Sequence, residues 1–360
     1  MVESAFESRE NNLDFVRLVL AILVILSHSW SIGTGDSVLE PMTRLSHGQA
    51  TFGTIAVHAF FIISGFLITN SFLRSRSLWT YLKKRVARIY PGFIVCMVVC
   101  ASVVVPLSGA RLLPDRLAPR LISFVGRTLA LHRFTHTIAF AGSPNSAIND
   151  SVWSIPDEFY CYLLVAVIGL VGVLRKRYFV EIMFFASLVS IEVVSFMAGS
   201  QKLITNVSLD RWFHFQSCAM FLAGMLFFLL RDKIPHKNSL AVASVLVLAI
   251  ASQVPHAWYL AFAFAGTYLV FWFAFHPRIS LHHAALYGDF SYGIYLYAFP
   301  IQQLITLAMG SRLNPYLLFL MSTPASLLAA VLSWYGVERW FLASGRRHGR
   351  DAPILAVPVS

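Results

Sequence analysis

The 360-residue chain is short of charge. Asp, Glu, Lys and Arg together make up 12% of it, about half the share expected of a soluble globular protein, roughly a quarter. Acids are the scarcer sign, 17 against 28 Lys and Arg, which leaves a formal charge of +11. So few charges exclude a water-soluble domain. They also turn the basic excess away from nucleic acid and towards membrane-flanking loops and an anionic ligand. Cysteine is scarce too. Cys96, Cys100, Cys161 and Cys218 all fall in apolar runs, and they read as buried thiols, not as a disulfide framework or a metal site. There is no internal repeat, and no Pro/Gly/Ser stretch is long enough to divide domains. A cleaved leader is not expected either. Before Leu18, Glu3, Glu7, Glu10 and Asp14 outnumber Arg9 and Arg17, the opposite of a basic signal region.

What fills the chain is apolar. Hydrophobic residues make up 57%, with 30 Phe, 13 Tyr and 8 Trp, and the mean hydropathy is +0.68. A membrane-spanning helix takes about 20 mostly apolar residues. Ten segments qualify: 13–31, 52–71, 90–107, 152–174, 179–198, 212–230, 239–254, 257–275, 290–309 and 315–336. The expected fold is an all-α bundle of about ten transmembrane helices in one domain over 13–342, with tails at 1–12 and 343–360. With the N-terminus inside, eighteen Lys and Arg fall on the inner side and nine on the outer, so both termini are expected in the cytoplasm. The longest outer segment, 108–151, carries Arg116, Arg120 and Arg127 at near-helical spacing among Leu121, Ile122, Val125 and Leu129. That pattern suits an amphipathic helix on the outer leaflet, or a lid presenting cations to an acceptor.

Ionisable residues within spans are costly and mark candidate sites. Arg17 and His28 lie eleven residues apart in the first span. At 100° per residue they share one face to within about 20°, roughly 16 Å apart along the axis. His58 and Ser64-Gly65 occupy the second span. Lys84, Arg85 and Arg88 cluster at an inner boundary just before Pro91, which is expected to stop or kink the helix. Arg85 and Arg88, three apart, present two guanidinium forks suited to phosphate. In "NDSVWSIPDEFYCYLL", residues 149–164, Asp150, Asp157 and Glu158 flank Pro156 at the outer end of a span. Each residue also has a structural reading: a snorkelling Arg, a packing His, loop charge, a helix-capping acid. Together they describe a cationic clamp for a phosphate-bearing donor, and a His with a carboxylate deeper in the membrane as base and partner. The rival reading is a proton-coupled transporter or exporter using the same His and Glu.

These stretches also resemble acyltransferase family 3, multi-pass membrane enzymes that acylate sugars and other surface molecules. Seven of them match in order: "NNLDFVRLVLAILVILSH" (11–28), "AVHAFFIISGFLI" (56–68), "KKRVARIYP" (83–91), residues 149–164, "FLAGMLFFLL" (221–230), "FSYGIYLYAFPIQQ" (290–303) and "VERWF" (337–341). The resemblance implies acyl-CoA, acetyl-CoA above all, as a donor substrate without a tightly bound cofactor. It implies a carbohydrate acceptor in a cell-surface polysaccharide or its lipid-linked precursor, and a place in the bacterial inner membrane. It makes His28 the candidate base and pairs it with Arg17, and it assigns Arg85 and Arg88 to the phosphates of the donor. Lys84 beside them is expected to join Arg17 on the donor, and Glu158, which matches the family's acidic position, to partner His28. Trp153, Ser154, Tyr292 and Tyr295 match family elements that fall to the substrate; His58, at a variable position of the family motif, ranks below His28 and is placed with them. The form "SIPDEF" is similar to the exopolysaccharide-associated branch. "GDSV" (35–38), similar to the nucleophile block of esterase domains, reads as chance in a short loop.

Overall fold

The computed structural model describes residues 11–110, 117–133, 139–199 and 209–342. Among these residues every regular element is helical: α1 Leu13–Gly33, α2 Phe52–Leu73, α3 Leu78–Leu107, α4 Leu117–Leu129, α5 Ile155–Leu170, α6 Arg177–Gly199, α7 Leu209–Leu229, α8 Asn238–Ala251, α9 Ala257–Ala274, α10 Ser291–Ala308 and α11 Pro315–Leu342. All ten predicted segments are helices. Six (α1, α2, α3, α5 with its preceding turn, α9 and α11) are long and apolar enough to cross a bilayer. α8 has only 14 residues, about 21 Å of helix. α10 is interrupted by Tyr and Gln side chains, and most of it, Gln302 and Gln303 included, is buried inside the protein.

The third span differs from the reading of the sequence in two ways. α3 begins at Leu78, not near residue 90, so Lys84, Arg85 and Arg88 lie within the helix itself. Pro91 does not stop it, and the helix runs on through a π turn at Cys100–Val104. Neighbouring helices can hold the backbone groups that such a proline frees. Pro156 sits in the first turn of α5, where a missing N–H costs nothing. In the 108–151 segment, α4 is helical and leaves Leu121, Ile122, Val125 and Leu129 exposed. Arg116 lies outside the described residues. The tails 1–10 and 343–360 also lie outside them.

The core is built on close contacts. A Cβ on Gly65 of α2 would lie 2.0 Å from the Phe221 carbonyl oxygen, and one on Gly224 of α7 would lie 1.8 Å from that of Ile62. The two backbones therefore touch directly, in the small-residue packing that membrane helices favour. Aromatic side chains fill the space around this contact: Phe66 stands against Phe227, Phe228, Phe271 and Phe275. α10 is tied to α1 by polar groups. The Gln302 amide donates to the Ile25 carbonyl at 2.9 Å and to Ser29 Oγ at 2.8 Å. The four cysteines are free thiols, Cys96, Cys100 and Cys161 fully buried. "GDSV" forms a 3₁₀ turn at Ser37–Leu39, capped by the Asp36 side chain on the Val38 amide.

Candidate functional site

α1, α2, α5 and α10 surround two cavities. The first, about 320 Å³, carries the cations Arg17 from α1 and Lys84, Arg85 and Arg88 from α3, with Ser154, Glu158, Tyr162 and Tyr292. The second, about 700 Å³, carries His28 from α1 with Glu40, Asp150, Trp153 and Tyr160. Val57 and Tyr295 belong to the walls of both, and stand where the two meet. The Arg17–His28 face of α1 thus runs from one cavity to the other.

In the first cavity, Arg17 Nη1 and Arg88 Nη2 both donate to Oδ2 of Asp289, at 2.5 and 2.6 Å. Asp14 is a looser partner of Arg17, at 3.6 Å. The other oxygen of Asp289 accepts from the Ser291 amide and hydroxyl at the start of α10. Burial pushes the Asp289 pKa up, but Arg17 and Arg88 outweigh it and hold the carboxyl well below the usual range. Arg88 also lies over the Tyr292 ring at 5.4 Å, while Tyr292 donates to the Ile89 carbonyl.

Arg85 differs. Its Nη2 donates to Ser71 Oγ at 3.3 Å, it lies between the rings of Tyr81 and Tyr162, and its Nε is buried without a hydrogen-bond partner. Among the described residues it makes no ion pair. Glu158 accepts from Tyr162 Oη at 2.5 Å and from Ser64 Oγ at 3.2 Å. Ser64 therefore serves this cavity while its neighbour Gly65 serves packing.

In the second cavity, the His28 ring meets Phe299 edge-on at 5.2 Å, and Nδ1 lies 3.3 Å from Ser151 Oγ. Glu40 is fully buried; it accepts from Ser27 Oγ at 3.0 Å and from the Phe52 amide at the head of α2. Burial raises its pKa, and those two hydrogen bonds only partly oppose the rise. Asp150 pairs with Arg133, a residue just beyond α4. Trp153 gives this cavity an aromatic wall, and Ser154 reaches Tyr295 Oη at 2.6 Å.

Of the residues singled out in the sequence, Arg17, Lys84, Arg85, Arg88, Ser154, Glu158, Tyr292 and Tyr295 come together in the first cavity, and His28, Trp153 and Tyr295 in the second. Two are placed differently. Glu158 is not the partner of His28, because it points into the other cavity towards Ser64 and Tyr162. His58 lies outside the walls of both cavities, packed on Tyr259 and Phe262. Asp289 and Ser151 escaped the reading of the sequence. The only sign of Asp289 was an acid two residues ahead of Ser291 in a chain with few acids.

Residues 10–335 match the acyltransferase domain family. Over 369 aligned positions the chain is 27% identical to the O-acetyl transferase of Shigella phage Sf6, covering 97% of this chain and 99% of that one. A stretch of 86 residues, 24% of this chain and 22% of the other, is 38% identical to nodulation protein 10 of Rhizobium leguminosarum bv. viciae. No solved structure matches.

Proposed function

This chain belongs to the acyltransferase domain family, and on that premise we propose that it is a membrane O-acetyltransferase. In this reading it moves an acetyl group from acyl-CoA to a hydroxyl of a surface polysaccharide or its lipid-linked precursor. The similarity to a phage O-acetyl transferase over nearly the whole of both chains supports the acyl group and the oxygen acceptor. The observation that carries the reading is the pair of abutting cavities, one cationic and one holding His28, on a single face of α1.

The arginine cavity is the donor side, facing the cytoplasm. Arg85 and Lys84 take the phosphates of acyl-CoA, since Arg17 and Arg88 already share Asp289. The pantetheine arm runs along α1 for roughly the 16 Å that separates Arg17 from His28 and brings the thioester to the Val57–Tyr295 boundary. The histidine cavity admits the acceptor from the outer side, where Trp153 and Tyr160 offer rings for sugar faces. His28 takes the proton of the acceptor hydroxyl as its oxygen attacks the thioester carbonyl. The tetrahedral intermediate expels the thiolate, which recovers that proton from the imidazolium. The products are an O-acyl ester and the free thiol. In this reading the chain sits in the bacterial inner membrane, and the excess of Lys and Arg on the inner loops supports both termini in the cytoplasm.

The test is transfer of label from acetyl-CoA to extracted glycan in membranes holding the full chain. Labelled glycan that disappears with the His28→Ala variant supports the reading, and no transfer from acetyl-CoA to any glycan fraction opposes it.

A further inference from the structure

A histidine base needs its free lone pair aimed at the substrate, and that depends on what the other ring nitrogen does. In triad-type sites a carboxylate fixes it. Here the carboxylate expected for the task, Glu158, is engaged in the other cavity. The group that meets His28 is a hydroxyl: Ser151 Oγ, on a fully buried residue, 3.3 Å from Nδ1.

Ser151 is itself held. It opens the 3₁₀ turn Ser151–Ser154 ahead of α5. Tyr295 Oη donates to its carbonyl at 2.6 Å, and the hydroxyl at the end of the same turn, Ser154, bonds Tyr295 Oη at 2.6 Å. One tyrosine from α10 therefore pins both ends of the turn. The edge-on contact with Phe299 fixes the plane of the His28 ring from α10 as well.

The two senses of the Ser151–His28 bond differ in consequence. If Ser151 donates to Nδ1, the ring hydrogen sits on Nε2 and the one ring lone pair is directed at the Ser151 hydroxyl, not at the acceptor. If Nδ1–H donates to Ser151, the Nε2 lone pair is free for the cavity. Only the second arrangement lets His28 act directly on the acceptor hydroxyl, the step proposed above.

We infer that Ser151, pinned by Tyr295, is the positioning residue of His28, accepting from Nδ1–H and presenting Nε2 to the acceptor hydroxyl. The inference rests on the proposed role of His28 as base. The protein thereby uses a neutral hydroxyl where a triad uses a carboxylate, leaving Asp150 to its ion pair with Arg133.

The test compares steady-state kinetics of the full chain in lipid nanodiscs, with acetyl-CoA as donor and extracted glycan as acceptor. The variants are Ser151→Ala, Ser151→Thr, Ser151→Cys, Tyr295→Phe and His28→Ala, each first matched to the wild type by thermal melt. Loss of one net hydrogen bond predicts a fall in kcat of about three- to tenfold for Ser151→Ala. The KM for acetyl-CoA should stay within about twofold, because Ser151 does not line the donor cavity. Tyr295→Phe should fall in the same direction, and Thr or Cys at 151 should recover part of the loss. An unchanged kcat for Ser151→Ala, a rise in KM alone, or a fall in kcat that neither Thr nor Cys relieves would overturn the inference. A His28→Ala variant with wild-type kcat would instead remove the base itself, and is read apart from the Ser151 series.

Discussion

Arg17 and Arg88 donate to the same oxygen, Oδ2 of Asp289, although they come from different helices and lie 272 and 201 residues from it in sequence. One carboxylate thus joins α1, α3 and the head of α10, and it leaves Arg85 as the arginine of the cavity that makes no ion pair among the described residues. The four cations of the site are not equivalent, and the predictions below follow from that division.

Asp289→Asn should destabilise the fold. Removing the partner of a buried pair leaves two guanidinium groups facing each other, at a cost of about 3 kcal/mol. Because Arg17 and Arg88 hold the Asp289 pKa below its ordinary value, the stabilisation is fully present above the unfolded carboxylate pKa, about 3.9. It is lost only as pH falls further, through the folded value. Thermal melts of wild type and variant should differ by a constant amount from neutral pH down to that point and converge below it. A gap that closes already between pH 7 and 5 would contradict the pairing.

Arg85→Ala should raise the KM for acetyl-CoA by at least about tenfold, the loss of a charge-assisted contact to phosphate. The melting temperature should fall less than for Arg88→Ala, since Arg85 gives up a hydrogen bond and two ring contacts but no ion pair among the described residues. Arg88→Ala should do the reverse, lowering stability more than donor affinity. The two variants, measured side by side, separate the cation that grips the donor from the one that braces the helices.

Gly65→Ala should cost about 1–3 kcal/mol of stability, as overpacking does, because its Cβ would meet the Phe221 carbonyl at 2.0 Å. Ser64→Ala, one residue away, should leave stability nearly intact and remove one hydrogen bond from Glu158. Melting curves in detergent check both.

Much of the architecture was legible in the sequence because apolar runs of the right length can do little but form helices in a bilayer. Arg17 and His28 stood out because each interrupts such a run, and helical arithmetic put both on one face. The partnerships were not legible. Glu158 looked like a mate for His28 because both sit in outer halves of spans, yet its hydrogen bonds go to Ser64, 94 residues away, and to Tyr162, one turn on. Side-chain direction decided this, and spacing along the chain does not report it. Asp289 hid in a polar connection where an acid is unremarkable until two arginines from other helices converge on it. His58 had the same signature as His28, an imidazole in an apolar run, but its helix turns it towards Tyr259 and Phe262 and away from both cavities.

The central claim is that donor binding and proton abstraction occupy separate cavities that meet at Tyr295. The most direct test measures acetyl-CoA binding and acetyl transfer for His28→Ala in the same nanodisc preparation. The account predicts a Kd for acetyl-CoA within about twofold of the wild type, with transfer to glycan reduced by at least about a hundredfold, the scale of general-base catalysis. Transfer at the wild-type rate, or loss of acetyl-CoA binding along with transfer in a folded variant, would contradict it.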